Sequence, residues 1–212
     1  MKVIEQSHQV LTPLLREDIY GIIERAGRTA YKSEDKITED SAVRFIQNII
    51  KRGHESVLEH ASISVRFITD RGVTHELVRH RLCAFTQEST RYCNYAGKDM
   101  LFIKPVFWYA GGKDEADYPE NAYQEWYAFM EMCESKYNFL VKELNCLPQE
   151  ARSVLPNSLK TEIVCTANVR EWRHILTLRT SKAAHPQMRA LMIPLLKVLQ
   201  EKLPALFGDI KC

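Results

Sequence analysis

The sequence is poor in the residues that mark specialised architectures. Eight glycines and eight prolines among 212 residues exclude collagen-like, low-complexity and disordered classes. Charge of one sign is also scarce: 29 Lys and Arg against 27 Asp and Glu leave a net charge of +2. That is too little for a chain that coats nucleic acid or an anionic membrane through overall charge, so any anion must be held by local clusters. No apolar run approaches the roughly 18 residues of a membrane-spanning helix. The start, Met1-Lys2-Val3-Ile4-Glu5, has no apolar secretion core, and a cytoplasmic protein with no membrane partner is expected. Six cysteines at 83, 93, 133, 146, 165 and 212 form no CxxC pair, which predicts reduced, mostly buried thiols rather than a disulfide scaffold or zinc ribbon. GxGxxG, GxxxxGK(S/T) and GxSxG are all missing, so a Rossmann dinucleotide fold, a P-loop and an α/β hydrolase are unsupported.

What is present alternates between helical and strand periodicity. Residues 3–11 read as an opening strand, and Thr12-Pro13 starts a helix ending near Tyr31. Thr38 is expected to cap a helix with Glu39 and Asp40 in its first turn, carrying Val43, Ile46, Ile49 and Ile50 on one face and ending at Gly53. Residues 61–68 alternate as a strand with one buried face, and Asp70-Arg71-Gly72 reads as a turn. A short helix from Val73 to about Leu82, an irregular stretch through Gly97, a strand over Leu101–Phe107 and a break at Gly111-Gly112 follow. The longest helix is expected near 118–144, after Pro119, with Tyr123, Trp126, Tyr127, Met130, Tyr137, Leu140, Val141 and Leu144 as a core or subunit stripe. A short helix from Pro148 ending before Pro156, a strand at Ile163-Val164-Cys165, a helix over 170–180 and an amphipathic helix from Pro186 complete the chain. Without repeats or linkers, the pattern predicts a single α+β domain over 1–212, its helices packed on a mixed or antiparallel sheet.

Three polar constellations stand out. Arg79-His80-Arg81, with Ser89 and Arg91 close behind, suits a phosphate-bearing small molecule, since guanidinium groups grip phosphate bidentately. A solvated basic face, with Glu76 pairing Arg79 or His80, is the plainer alternative. At the end of a helix the three residues would point about 100° apart and line a junction between two ligands or subunits. His54 to His60 holds zinc-site residue types, but its histidines are five residues apart rather than the three of HExxH; polar packing with Glu59 or His60 on backbone is expected, and no metal. The third is Arg170, Arg173, Arg179, Lys182 and Arg189 with His174, His185 and Glu171: either the wet face of a helix burying Ile175, Leu176 and Leu178, or a second anion site. A nucleic-acid binder stacking bases on Phe85, Tyr92, Tyr95 and Trp172 is the rival class.

Arg79-His80-Arg81, seven residues, then Ser89-Thr90-Arg91-Tyr92 resembles the RHR-x7-S signature of flavin-dependent thymidylate synthases. Gly53-His54-Glu55-Ser56 with Glu59-His60, Ala151-Arg152-Ser153-Val154-Leu155-Pro156, Asn168 with Arg170, Leu178-Arg179, and Ala184-His185-Pro186-Gln187 resemble that family's other blocks, in the same order. The resemblance implies a thymidylate synthase-complementing type fold and methylation of dUMP at C5, with methylenetetrahydrofolate as carbon donor and FAD reduced by NADPH. It also implies a homotetramer whose subunits share active sites, with no nucleic acid as partner.

Carried over by position, Ser56, Arg79, His80, Arg81, Gln87, Asn168, Val169, Arg170 and His174 would contact FAD. Glu76, Arg79, Gln87, Glu88, Ser89, Thr90, Arg91, Arg152 and Arg179 would contact dUMP, with Arg179 catalytic. Ala84, Thr86-Gln87 and Thr90 depart from the family's more frequent Ser, Asn-Glu and Gly. Gln87 removes a charge expected near both ligands.

Overall fold

The computed structural model describes residues 1–107 and 121–212, so the expected break at Gly111-Gly112 and the expected helix start at 118–120 lie outside the described residues. Six strands and eight α-helices are present among the described residues, an α+β architecture. The strands are β1 (Lys2–Ile4), β2 (Ser7–Val10), β3 (Ser62–Asp70), β4 (Ala84–Gln87), β5 (Leu101–Ile103) and β6 (Lys160–Asn168). The apolar opening run is split at Glu5-Gln6 between two sheets. Its first half pairs in parallel with β5, Val3 opposite Phe102, while β2 joins a four-stranded sheet in the order β2-β3-β6-β4. Both nine-residue strands alternate strictly: Ile63, Val65, Phe67 and Thr69 on β3, and Thr161, Ile163, Cys165 and Ala167 on β6, are buried.

By contact density the chain forms two compact units, each assembled from separate stretches. The first comprises Met1–Ser7, Phe67–Arg79 and Thr86–Ile163. It contains α3 (Arg71–Leu77), α4 (Ala122–Lys142) and α5 (Pro148–Ala151), the last followed by a 3-10 turn over Arg152–Val154. Its core gathers Met100, Phe102, Met130, Tyr137, Ala151 and Leu159. The expected turn Asp70-Arg71-Gly72 is instead the start of α3, because the Asp70 carboxylate accepts the Val73 N–H at 2.7 Å and caps it. That helix also stops earlier than the spacing suggests. Val78 N–H still reaches the Thr74 carbonyl, but Arg79 N–H turns to Glu76 at 3.3 Å, a tightened last turn. Arg79-His80-Arg81 therefore lies in a turn, and the helical-angle reading of that cluster does not apply.

On α4, Met130, Cys133 and Tyr137 are buried, whereas Phe129, Met132 and Phe139 form a second, exposed apolar stripe with Leu144 beyond the helix end. No described helix is long and apolar enough to cross a membrane.

The second unit comprises His8–Arg66, His80–Phe85 and Val164–Cys212. It holds α1 (Arg16–Thr29), α2 (Ser41–Lys51), α6 (Val169–Arg179), α7 (Pro186–Lys202) and α8 (Pro204–Phe207). The cap of α2 is Asp40 rather than Thr38. Ser41 explains the shift: its hydroxyl accepts the Thr38 N–H and reaches Glu24 on α1. Glu24 is 2% exposed and accepts both Nε and Nη2 of Arg28 on one oxygen, which compensates its burial. Helix α7 buries Gln187, Met188, Leu191, Met192, Leu195, Leu196 and Leu199, the 3-4 spacing of an amphipathic helix. Cys133 and Cys165 are buried, Cys83, Cys93 and Cys146 half-buried and Cys212 exposed, so fewer thiols are buried than expected.

Gly27 sits where α1 approaches Phe45 of α2, and a Cβ there would meet the ring at 2.5 Å and Val57 at 3.0 Å. Alanine favours helix by about 1 kcal/mol, but overpacking at such a site costs about 1–3 kcal/mol. Gly27→Ala should lower the urea midpoint of unfolding; a raised midpoint would show that Phe45 yields freely.

Candidate active site

In the second unit, the candidate side chains are set by the two ends of α6. Asn168 starts the helix, its side chain accepting the Glu171 N–H at 2.8 Å, and Val169 is fully buried. Arg170 is half exposed and bound to Glu59 at 2.6 Å, with Glu55 at 3.7 Å; Glu59 first, through its hydrogen bond, holds the guanidinium pKa above its usual value. Glu59 thus meets a guanidinium rather than the backbone expected for it. Trp172 and Ile175 are buried, with Trp172 Nε1 donating to the Ile63 carbonyl at 2.8 Å. Leu178, expected on the buried face, is 46% exposed, two positions beyond the end of the stripe of Trp172, Ile175 and Leu176.

At the other end of α6, Arg179 Nε donates to His80 Nε2 at 3.0 Å. His80 is 6% exposed, its Nδ1 lies 3.5 Å from Glu171, and the His174 ring meets it edge-on at 5.8 Å. Burial first, then the charges of Arg179 and His174, push the His80 pKa down to about 4. The imidazole is therefore neutral. Because Nε2 accepts from Arg179, the single ring proton sits on Nδ1, facing Glu171. Arg81 and Ser56 are exposed.

A cavity of about 710 Å³ is lined by Glu55, Glu59, Leu82, Asn168, Arg170, Glu171, Arg173, His174 and Thr177. Arg173, though it lines the cavity, is paired, gripping both carboxylate oxygens of Asp209 at 2.7 Å and the Leu206 carbonyl. Cys83 has its pKa lowered, chiefly by a hydrogen bond with the Cys165 thiol.

In the first unit, Glu76 is half-buried on α3 and Arg79 exposed just beyond it. Gln87 closes β4 with its amide nitrogen donating to Thr74 Oγ1 at 3.0 Å and Thr161 Oγ1 at 3.2 Å. Glu88 accepts the Tyr95 hydroxyl at 2.8 Å and the Lys160 ammonium at 3.0 Å. Next, Ser89 makes a turn: its carbonyl accepts Tyr92 and Cys93 N–H, and its hydroxyl accepts Arg91 N–H at 3.3 Å. Thr90 is buried, while Arg91 is exposed, its guanidinium lying over the Tyr92 ring at 5.4 Å. Arg152 is exposed at the start of its 3-10 turn.

Each unit thus gathers its own share of the expected residues. His80, Asn168, Val169, Arg170, His174 and Arg179 cluster along α6, and Gln87 at the end of β4 runs on into a loop of Glu88 to Arg91. The supports Thr74, Thr161 and Lys160 escaped the sequence reading, in which Glu171 and Tyr95 carry other roles. Only Lys160 carried a signal, its i,i+2 spacing to Glu162 placing both on one face of a strand. Base stacking loses Trp172, which is buried, and Tyr95, whose hydroxyl is bound to Glu88. Among the described residues no cluster of His, Cys, Asp and Glu is arranged to hold a metal ion.

Residues 16–205 match the model of the family described as thymidylate synthase complementing protein. Flavin-dependent thymidylate synthase of Mycobacterium tuberculosis is 36% identical over 202 residues, covering 89% of this chain and 78% of the relative. That of Corynebacterium efficiens is 34% identical over 203 residues, with the same coverage. Among solved structures, thymidylate synthase X from Helicobacter pylori with FAD and dUMP superposes with a TM-score of 0.75 at 24% identity, covering 97% of this chain and 98% of that one. The UMP/dUMP methylase PolB from Streptomyces cacaoi bound with 5-Br dUMP gives 0.78 at 20% identity, covering 98% and 96%. Both structures share the fold.

The neutral His80 makes stability pH-dependent in a defined direction. Between its ordinary value of 6.5 and about 4, the unfolded chain takes up a proton that the folded chain refuses, so stability falls as pH drops through that window. His80→Gln retains an acceptor for Arg179 and a donor for Glu171 without the titration. In urea unfolding at pH 7 and pH 5, the wild type should lose more stability on acidification than the variant; equal losses would assign the acid sensitivity to other groups.

Proposed function

This chain belongs to the thymidylate synthase complementing protein family, and we propose that it is a flavin-dependent thymidylate synthase. In this reading it converts dUMP to dTMP in the cytoplasm, with a methylene from methylenetetrahydrofolate and reducing equivalents from NADPH by way of FAD. Tetrahydrofolate and NADP are the other products. The observation that carries the reading is the Arg179–His80 hydrogen bond of 3.0 Å, which fixes a guanidinium through the central residue of the Arg79-His80-Arg81 turn.

The residues of the second unit suit a flavin dinucleotide. The cavity of about 710 Å³ falls within the roughly 300–1,000 Å³ of ligand sites. A guanidinium from Arg170, an imidazole from His174, the Asn168 amide and the Thr177 hydroxyl offer the mixed donors and acceptors that phosphates, ribose and ring carbonyls require. Ser56, Arg79, His80, Arg81, Gln87 and Val169 are assigned to the same cofactor. FAD, when bound, supplies hydride transfer.

Arg179 carries the catalytic assignment. With Nε on His80, its Nη edge would meet the uracil, stabilising negative charge at N3 and O2 and raising electron density at C5, the carbon that attacks the methylene. Arg91, Ser89, Thr90, Arg152, Glu76 and Arg79 would hold the nucleotide, with Gln87 and Glu88 at the loop's entry; their work is orientation. We further propose that residues 1–212 act as one catalytic domain in a homotetramer whose active sites are shared between subunits. The exposed Phe129, Met132 and Phe139 stripe on α4 offers an apolar face for such packing.

Protein soaked in FAD and desalted should keep a visible flavin band that bleaches anaerobically with NADPH, and should form dTMP once dUMP and methylenetetrahydrofolate are added. Arg179→Ala should keep the band and lose about 10²–10³-fold in dTMP formation, the usual cost of removing one electrostatic stabiliser. Arg91→Ala should weaken dUMP about tenfold or more, as loss of a charged hydrogen bond does, with FAD retained. A colourless protein forming no dTMP would defeat the proposal, and normal turnover in Arg179→Ala would remove that residue from catalysis.

A further inference from the structure

Glu88 follows β4 directly and precedes Ser89, yet neither of its carboxylate oxygens is turned loose. Oε1 accepts the Tyr95 hydroxyl at 2.8 Å and Oε2 accepts Lys160 Nζ at 3.0 Å. Its N–H donates to the Glu162 carbonyl at 2.8 Å, and Lys160 also reaches the Glu162 carboxylate at 2.6 Å. Lys160 and Glu88 are 14% and 18% exposed, so the ammonium separates two carboxylates in a partly desolvated setting, where a missing countercharge is felt. Tyr95 is itself anchored, its ring edge-on to Tyr137 of α4 at 5.9 Å. Burial and then the Glu88 hydrogen bond push its phenol pKa up, so it remains a donor throughout the working pH range.

The Glu162 carbonyl and the Lys160 ammonium, both on β6, tie this segment to that strand through its backbone and its side chain. Beyond Glu88 the chain enters the Ser89 turn, whose shape depends on where Glu88 is held. We propose that Lys160 and Tyr95 are positioning residues: by clamping both oxygens of Glu88 they fix the Ser89–Arg91 loop for the nucleotide, and Glu88 acts as the loop's anchor rather than as a ligand. The inference rests on the assignment of that loop to dUMP.

The test uses the FAD-loaded protein and dUMP, with affinity measured by calorimetry and turnover at steady state. Lys160→Met should raise both the dUMP Kd and KM about tenfold, the scale of a lost charged hydrogen bond, with kcat nearly unchanged and the flavin retained. Lys160→Arg should restore the affinity, and Tyr95→Phe should weaken dUMP in the same direction by a smaller factor. A folded Lys160→Met with wild-type dUMP affinity overturns the proposal, as does a kcat that falls in step with kcat/KM without rescue by arginine. Should Lys160→Met fail to fold, Tyr95→Phe decides alone, unchanged affinity overturning the clamp. If Arg91→Ala loses dUMP while Lys160→Met does not, only the clamp fails; if neither loses it, the placement of the nucleotide fails.

Discussion

A buried histidine kept neutral near pH 7 is the constraint on which the α6 cluster depends. His80 is enclosed beside Arg179 and His174, and burial first, then the Arg179 charge, lowers its pKa to about 4. Only a neutral ring offers an acceptor, and that acceptor holds Arg179 Nε. A protonated His80 would present a donor to a donor. The same low pKa that costs stability in acid is thus what aims a guanidinium, and Glu171 completes the arrangement by facing the remaining ring proton.

Basic residues in this chain divide by partner rather than by position in the sequence. Arg28 and Arg173 are held by carboxylates, and Arg189 Nε donates to the Thr180 carbonyl, so part of the basic sequence after Asn168 is scaffold, whereas Arg170, paired with Glu59, lines the cavity. A run of arginines read from sequence overstates the ligand-facing charge, because pairing is settled by carboxylates far away in the chain, as Asp209 does for Arg173. Arg79, Arg81, Arg91 and Arg152 are exposed, and these match the residues that the family resemblance assigns to ligands.

Local signals made most elements legible. The 2-residue alternation of β3 and the 3-4 spacing of α7 recur as buried faces, while α2 buries Ile46 and Ile49 but leaves Val43, expected on the same face, 42% exposed. Errors arose where one residue serves two readings. Asp70 suits a turn or an N-cap, and its bond to Val73 makes it a cap. Ala84–Gln87 gives too short a run to declare a strand, and its identity comes from its neighbour β6. The RHR-x7-S spacing located the candidate site but not its supports. Thr74 and Thr161 lie far apart in sequence and meet only through Gln87.

That meeting changes the meaning of Gln87. As a departure from a more frequent glutamate it reads as a lost charge near ligands. Its amide nitrogen is instead spent on two threonine hydroxyls, both fully or almost fully buried, where an unpaired hydroxyl would be costly. The Thr74 hydroxyl already gives its proton to the Arg71 carbonyl at 3.0 Å, so a glutamate there would face an acceptor with an acceptor and bring a charge into the same enclosure, with desolvation to offset. Glutamine fills the role without one. The adjacent Glu88, just past the end of β4, is met by the Lys160 ammonium at 3.0 Å. A neutral anchor that closes β4 and a charged one directly after it therefore both hold the loop that follows.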